Sequence, residues 1–127
     1  MAELMIYRCN ICGNIIMKLH DGGGPLVCCG QDMTLLKANT TDAATEKHVP
    51  VVECNGDEVI VKIGEVEHPM LEEHHISFIV VETNQGFHKK DLTVGEAPAA
   101  EFSLTDGEKV VAVYEYCNLH GLWKKEM

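Results

Sequence analysis

Ile76-Ser77-Phe78-Ile79-Val80-Val81 decides the fold class of this chain. Ile76, Phe78 and Val80 alternate with Ser77, Ile79 and Val81, a β-branched and aromatic run that suits a pleated strand and shows no helical period. The pattern recurs on either side. Val59, Val61 and Ile63 alternate with Ile60 and Lys62, and Val110 to Tyr116 is a further β-branched and aromatic run. Turn residues separate these runs at Asn55-Gly56-Asp57, Asn84-Gln85-Gly86 and Thr105-Asp106-Gly107. Short strands at short intervals predict an antiparallel β-sandwich over residues 48–127.

Upstream the texture changes. Residues 38–47, Ala-Asn-Thr-Thr-Asp-Ala-Ala-Thr-Glu-Lys, are small and polar and read as a linker. Residues 1–37 are punctuated by Gly13, Gly22, Gly23, Gly24, Pro25 and Gly30. Leu4 to Tyr7, Ile15 to Met17 and Leu26 to Val27 read there as short strands between turns. A unit of that size buries too little apolar surface to fold without a staple, and a metal is the natural candidate.

The bulk numbers set limits. With 127 residues and 46% hydrophobic content, the chain holds one ordinary domain, or a small one beside a tiny one. A net charge of −10 argues against nucleic acid, because phosphate binding needs a basic surface. It leaves an anionic substrate open, since a local positive patch can dominate the field at a cleft. No apolar run approaches the roughly 20 residues that span a membrane. The N-terminus lacks the basic segment, apolar stretch and cleavage site of a secretory signal, which gives the expectation of a cytoplasmic protein. Six cysteines and seven histidines are many for this length. In a reducing compartment clustered cysteines point to metal or redox chemistry rather than disulfides.

Two constellations carry that chemistry. Cys9-Asn10-Ile11-Cys12-Gly13 places two thiolates on one tight turn, where the glycine lets backbone amides point at the sulfurs. Cys28 and Cys29 follow as neighbours, with Gly30 behind them. Four thiolates in two pairs suit a tetrahedral centre of zinc or iron, and spacing alone leaves the metal open. The second set is dispersed: His48 in Glu46-Lys47-His48-Val49-Pro50, His68 in His68-Pro69-Met70, His74 beside His75, and Cys117-Asn118-Leu119-His120-Gly121. A cysteine and a histidine three apart meet one metal only if the chain turns between them, and Asn118 and Gly121 suit such a turn. Imidazole suits iron, copper or zinc, and one thiolate adds electron density to the metal. Period-two alternation puts His74 and His75 on opposite faces, so pattern reading does not choose between them.

Taken in order, these segments resemble the desulfoferrodoxins, the two-iron superoxide reductases, over nearly the whole chain. The Cys-x-x-Cys-Gly and Cys-Cys pairs resemble the iron site of desulforedoxin. The resemblance implies an Fe(Cys)4 centre on Cys9, Cys12, Cys28 and Cys29. It implies a second non-haem iron held by His48, His68, His74 and His120 with Cys117 as axial ligand. The implied fold is a desulforedoxin-like domain followed by an immunoglobulin-like sandwich, and the implied assembly is a homodimer. The implied activity is one-electron reduction of superoxide to hydrogen peroxide without release of dioxygen, with rubredoxin or a similar small protein as electron donor. Lys47 is then the attractor for the anion and a residue that can hold a water delivering the proton, and Glu46 a carboxylate able to occupy the sixth position of the oxidised iron.

Two rival readings remain at this level. An electron carrier would leave the histidines and Cys117 unused, and a zinc module fits five convergent ligands poorly, because catalytic zinc keeps about three protein ligands. Outside these sets, Cys54 is expected to be a buried free thiol and His20 a surface residue. His88 is expected to be an exposed strand residue near Lys89-Lys90, and Trp123 and Tyr116 to flank the Cys117–His120 turn.

Overall fold

The computed structural model describes residues 4–127. The first three residues, part of the N-terminus read above as carrying no leader, lie outside that range. The chain divides into two compact units, Met1–Lys37 and Ala38–Met127.

In the first unit, β1 (Met5–Arg8) pairs antiparallel with β2 (Ile15–Lys18) on one side and with β5 (Thr34–Leu35) on the other. A two-residue ribbon of β3 (Val27–Cys28) and β4 (Gln31–Asp32) completes it. Among the described residues of this unit, only Ile6 and Cys9 are buried hydrophobics. An apolar core of that size does not offset the entropy of ordering the chain.

The second unit is a seven-stranded antiparallel sandwich preceded by one helical turn, α1 (Thr45–His48). One sheet is ordered β10-β7-β6, from β6 (Pro50–Asn55), β7 (Glu58–Ile63) and β10 (Ala99–Ser103). The other is β12-β11-β8-β9, from β8 (Ile76–Thr83), β9 (Gly86–Asp91), β11 (Val110–Cys117) and β12 (Gly121–Glu126). All three expected turns lie between strands. In β7 the alternation is clean, with Val59, Val61 and Ile63 inside and Lys62 outside.

The simple alternation expected for β8 is broken, however. Tyr116 pairs with Phe78 while Cys117 pairs with Ile76, so β8 carries one extra residue at Ser77. That bulge returns Ile76 to the core, where it joins Ile79, Val81, Val113 and Cys117. Strands β10 and β12 were not foreseen, because Ala99-Ala100-Glu101 and Lys124-Lys125-Glu126 lack strand-forming side chains. Both acquire strand structure from their neighbours.

Cys54 is exposed on β6, which corrects the expectation of a buried thiol. His20 is exposed. His88 is half-buried rather than free on the surface, with Nε2 2.9 Å from Glu108 Oε2. Glu108 also accepts from the Thr83 hydroxyl at 2.6 Å and from the Thr105 amide at 3.0 Å. The Thr83 hydroxyl, the Thr105 amide and His88 together hold the Glu108 carboxyl down at about 2. A carboxyl depressed on folding stabilises the fold above its ordinary value near 4.5, and that contribution is lost as pH falls through the folded value. Glu108→Gln should therefore melt below the parent protein at neutral pH, with the gap closing between about pH 4.5 and pH 2. Thermal unfolding across that range checks it, and a gap independent of pH would contradict it.

Candidate metal centres

The first cluster is built on a turn and a kink. Cys9, buried at the end of β1, accepts from the Cys12 amide at 3.5 Å, and the turn closes through Gly13 N–H donating to Cys9 C=O at 2.9 Å. Neighbouring residues on a strand point to opposite faces. Cys29 escapes that rule by adopting a left-handed φ of 53°, which costs about 1–2 kcal/mol for a side chain with a Cβ. All four sulfurs then lie within 4.8 Å of one another, with Cys12–Cys28 at 3.6 Å and Cys28–Cys29 at 4.0 Å. A tetrahedral thiolate site with bonds of about 2.3 Å has sulfur–sulfur edges of about 3.8 Å, so the set suits a tetrahedral ion.

The protonation energetics agree. Backbone amides of Cys12 and Ile11 lower the Cys9 thiol to about 6, while the neighbouring sulfurs push Cys29 up to about 12. Four thiolates do not ionise together without a cation among them.

The second cluster sits at one end of the sandwich. His48 ends α1, His68 and His74 lie on the connection between β7 and β8, and Cys117 and His120 bracket the β11–β12 turn. Ligand atoms of His48, His74, Cys117 and His120 all lie within 4.8 Å of one another. His68 stands beside them, its ring centroid 4.8 Å from that of His48 and 4.6 Å from that of His74. His75 does not join. Its Nδ1–H is directed at the carbonyls of Leu71 and Glu72, at 3.0 and 3.1 Å.

Hydrogen bonds fix two of the imidazole tautomers. Nδ1–H of His48 donates to Ala44 C=O and Nδ1–H of His68 to Pro69 C=O, each at 2.7 Å. A carbonyl can only accept, so both Nε2 atoms carry lone pairs. The ring of Trp123 stacks on His48 at 4.8 Å, and its Nε1–H donates to His120 C=O at 3.1 Å. Burial lowers the pKa of His48 and His74 and takes His68 down to about 4, so these rings are neutral, the form that binds a metal.

Among the described residues, His68 Nε2 and His74 Nε2 are buried without any hydrogen-bond partner. In a site that also offers a thiolate, these unsatisfied lone pairs are what a bound cation would meet. Burial pushes the Cys117 thiol up, partly countered by the amides of Leu119 and His120, so a metal must displace its proton.

Lys47 is exposed beside this end of the sandwich, and its charge acts on both His48 and His74. Glu46 is exposed and not among the converging ligand atoms; it lines a groove with Val52, Glu65 and Lys125. Glu115, two residues before Cys117, was not singled out from the sequence. It is fully buried, neither carboxylate oxygen has a hydrogen-bond partner among the described residues, and burial raises its pKa well above the usual carboxylate range. A glutamate inside a strand run gives no sign of its face until the register is known.

The family model described as desulfoferrodoxin matches residues 40–126, and that of its N-terminal domain matches residues 2–36. A desulfoferrodoxin of Syntrophotalea carbinolica is 52% identical over 127 residues, covering 99% of each chain. The crystal structure of the superoxide reductase from Treponema pallidum superposes with a TM-score of 0.83 at 38% identity, covering 98% of this chain and 100% of that one. A one-iron superoxide reductase from Giardia intestinalis gives a TM-score of 0.56 at 34% identity, covering 65% of this chain and 97% of its own.

The backbone that presents His48 depends on Gly64, which has φ +82°. A Cβ there would stand 2.7 Å from Lys47 O and 2.8 Å from Glu46 O, and closer still to Val66 O. Gly64→Ala should cost about 1–3 kcal/mol and move the segment carrying Lys47 and His48. The expected result is a lower melting temperature and reduced metal loading at the histidine cluster, with the four-cysteine unit still loaded. Metal analysis with absorption spectra of both sites checks it.

Proposed function

The chain belongs to the desulfoferrodoxin family, and from that premise we propose that it is a superoxide reductase with two iron centres. Cys9, Cys12, Cys28 and Cys29 would hold one iron, and His48, His68, His74, His120 and Cys117 the other. The observation that carries this reading is the convergence of His48, His74, His120 and Cys117, with His68 beside them and unpartnered Nε2 atoms on His68 and His74.

Ferrous iron, when bound there, supplies the one electron that, with two protons, converts superoxide to hydrogen peroxide. The protein's own residues do the rest. Lys47 lends an otherwise acidic molecule a local positive charge that draws the anion to this end of the sandwich. We also assign its solvent-exposed ammonium the holding of a water that delivers the proton. His48 and His68 are held by their Nδ1–H bonds so that only Nε2 faces inward. Trp123 covers the His48 ring and keeps water from it. We assign Glu46 the role of a carboxylate that approaches the site by movement of its exposed helical turn.

Re-reduction by rubredoxin or a similar small donor, and a cytoplasmic setting, belong to the same proposal; all six cysteines are unpaired by disulfides, as a reducing compartment requires. Among the described residues no helix is long and apolar enough to cross a membrane. A homodimer is also proposed. Across the first unit, Ile16 and Leu35 flank Tyr7 in register on one face of the sheet, and both are exposed, an apolar row that a second copy would cover.

Metal analysis with optical spectra tests the assignment. Two irons per chain are expected, with two chromophores bleaching in separate steps under ascorbate and then dithionite. Zinc at the histidine cluster in protein made with iron available would remove the redox mechanism. Lys47→Ile should slow superoxide capture and flatten its dependence on ionic strength, as stopped-flow kinetics at several salt concentrations would show; unchanged kinetics at low salt would exclude steering by Lys47.

A further inference from the structure

We propose that Asn118 is the positioning residue for the His74 imidazole; this rests on the proposed role of His74 as a ligand. His48 and His68 are oriented through their own rings, by Nδ1–H bonds to Ala44 and Pro69 carbonyls. His120 turns Nδ1 toward the cluster, 3.0 Å from His48 Nε2 and 3.9 Å from Cys117 Sγ. The His74 ring has no such tether: among the described residues nothing hydrogen-bonds to it, and its Nε2 is buried without a partner.

His74 is set through the main chain instead. Its N–H donates to Leu71 C=O at 3.2 Å, and its C=O accepts from Leu71 N–H at 2.9 Å. The peptide groups flanking it belong to one side chain. Asn118 Nδ2–H donates to Glu73 C=O at 3.1 Å, and Asn118 Oδ1 accepts from His75 N–H at 2.9 Å. The Asn118 main-chain N–H adds a third bond, to His75 C=O at 3.2 Å. The amide orientation follows from its partners, since one can only accept and the other only donate.

The plain alternative is that Asn118 serves only the β11–β12 turn. The backbone speaks against it. The left-handed position in that turn is taken by Gly121 at φ +79°, and Asn118 is not among the described residues with positive φ. Nothing in its own conformation calls for asparagine, whereas the His74 loop needs a donor and an acceptor side by side. Only a primary amide offers both at this length. Asn118 is also the neighbour of Cys117, so one residue ties the thiolate-bearing turn to the loop that carries His74.

The test uses the full chain and cobalt(II) as the probe, titrated without oxygen against a competing chelator. The single-thiolate absorption reads the histidine cluster, and the tetrathiolate absorption of the first unit is the internal reference. Asn118→Ala should weaken cobalt binding at the histidine cluster about 10- to 100-fold and shift its absorption, leaving the reference unchanged. Asn118→Asp, which keeps the acceptor and loses the donor, should fall between, and it decides the matter if the alanine variant does not fold. In a His74→Ala chain, either Asn118 substitution should change the affinity by less than about twofold, because the effect runs through His74. Losses that persist undiminished in the His74→Ala chain would overturn the proposal, as would wild-type affinity in Asn118→Ala. Failure of the parent chain to bind cobalt at this cluster would overturn both this inference and the proposed ligand set. Absence of superoxide turnover alongside the expected cobalt results would overturn only the proposed activity.

Discussion

Two imidazole nitrogens, His68 Nε2 and His74 Nε2, lie buried without a partner at the end of an apolar sandwich, and each such group costs about 1–3 kcal/mol until something meets its lone pair. The sandwich carries that cost because most of its apolar interior is built from residues outside the cluster: Val59, Val61, Ile79, Val81 and Val113 pack together between the sheets, and Cys117 belongs to both. The site is therefore preorganised in the folded chain rather than assembled by the metal. Burial adds a second effect in the same direction, since it holds His48, His68 and His74 neutral. A site that were both charged and open to water would have to lose protons and solvent before binding a cation.

The first unit solves the same problem in the opposite way. It has almost no core, and its four sulfurs repel one another when ionised, as the raised Cys28 and Cys29 show. The left-handed backbone at Cys29 adds strain. A cation answers all of these at once, so in this unit metal binding and folding are one equilibrium.

The sandwich was legible where strands are half-buried and regular, as in Val59-Ile60-Val61-Lys62-Ile63, and where glycine or asparagine marks a turn. It was not legible at Ser77, where an inserted residue reverses the facing of β8, because a bulge is a property of a pair of strands rather than of one. Edge strand β12 was invisible for a related reason: Lys124, Lys125 and Glu126 form strand only because β11 offers hydrogen bonds. The candidate metal ligands stood out because cysteine and histidine are chemically distinctive and were clustered in short motifs. The sequence did not separate His74 from His75, since the choice depends on which ring is engaged by local carbonyls. His75 is engaged at Leu71 and Glu72, which leaves His74 facing the cluster.

Asn118 was among the least visible residues. It is ordinary in composition, and its meaning comes from its partners Glu73 and His75 in another loop. The Ser77 bulge connects it to the site. It lets β8 begin with Ile76 opposite Cys117, which brings the loop ending at His75 against the turn beginning at Asn118. Without the extra residue the side chains at that end of β8 would exchange faces, and the His74 loop would meet a different part of the β11–β12 turn. The register of one strand pair thus sets the distance between an imidazole and a thiolate that the chain keeps more than forty residues apart.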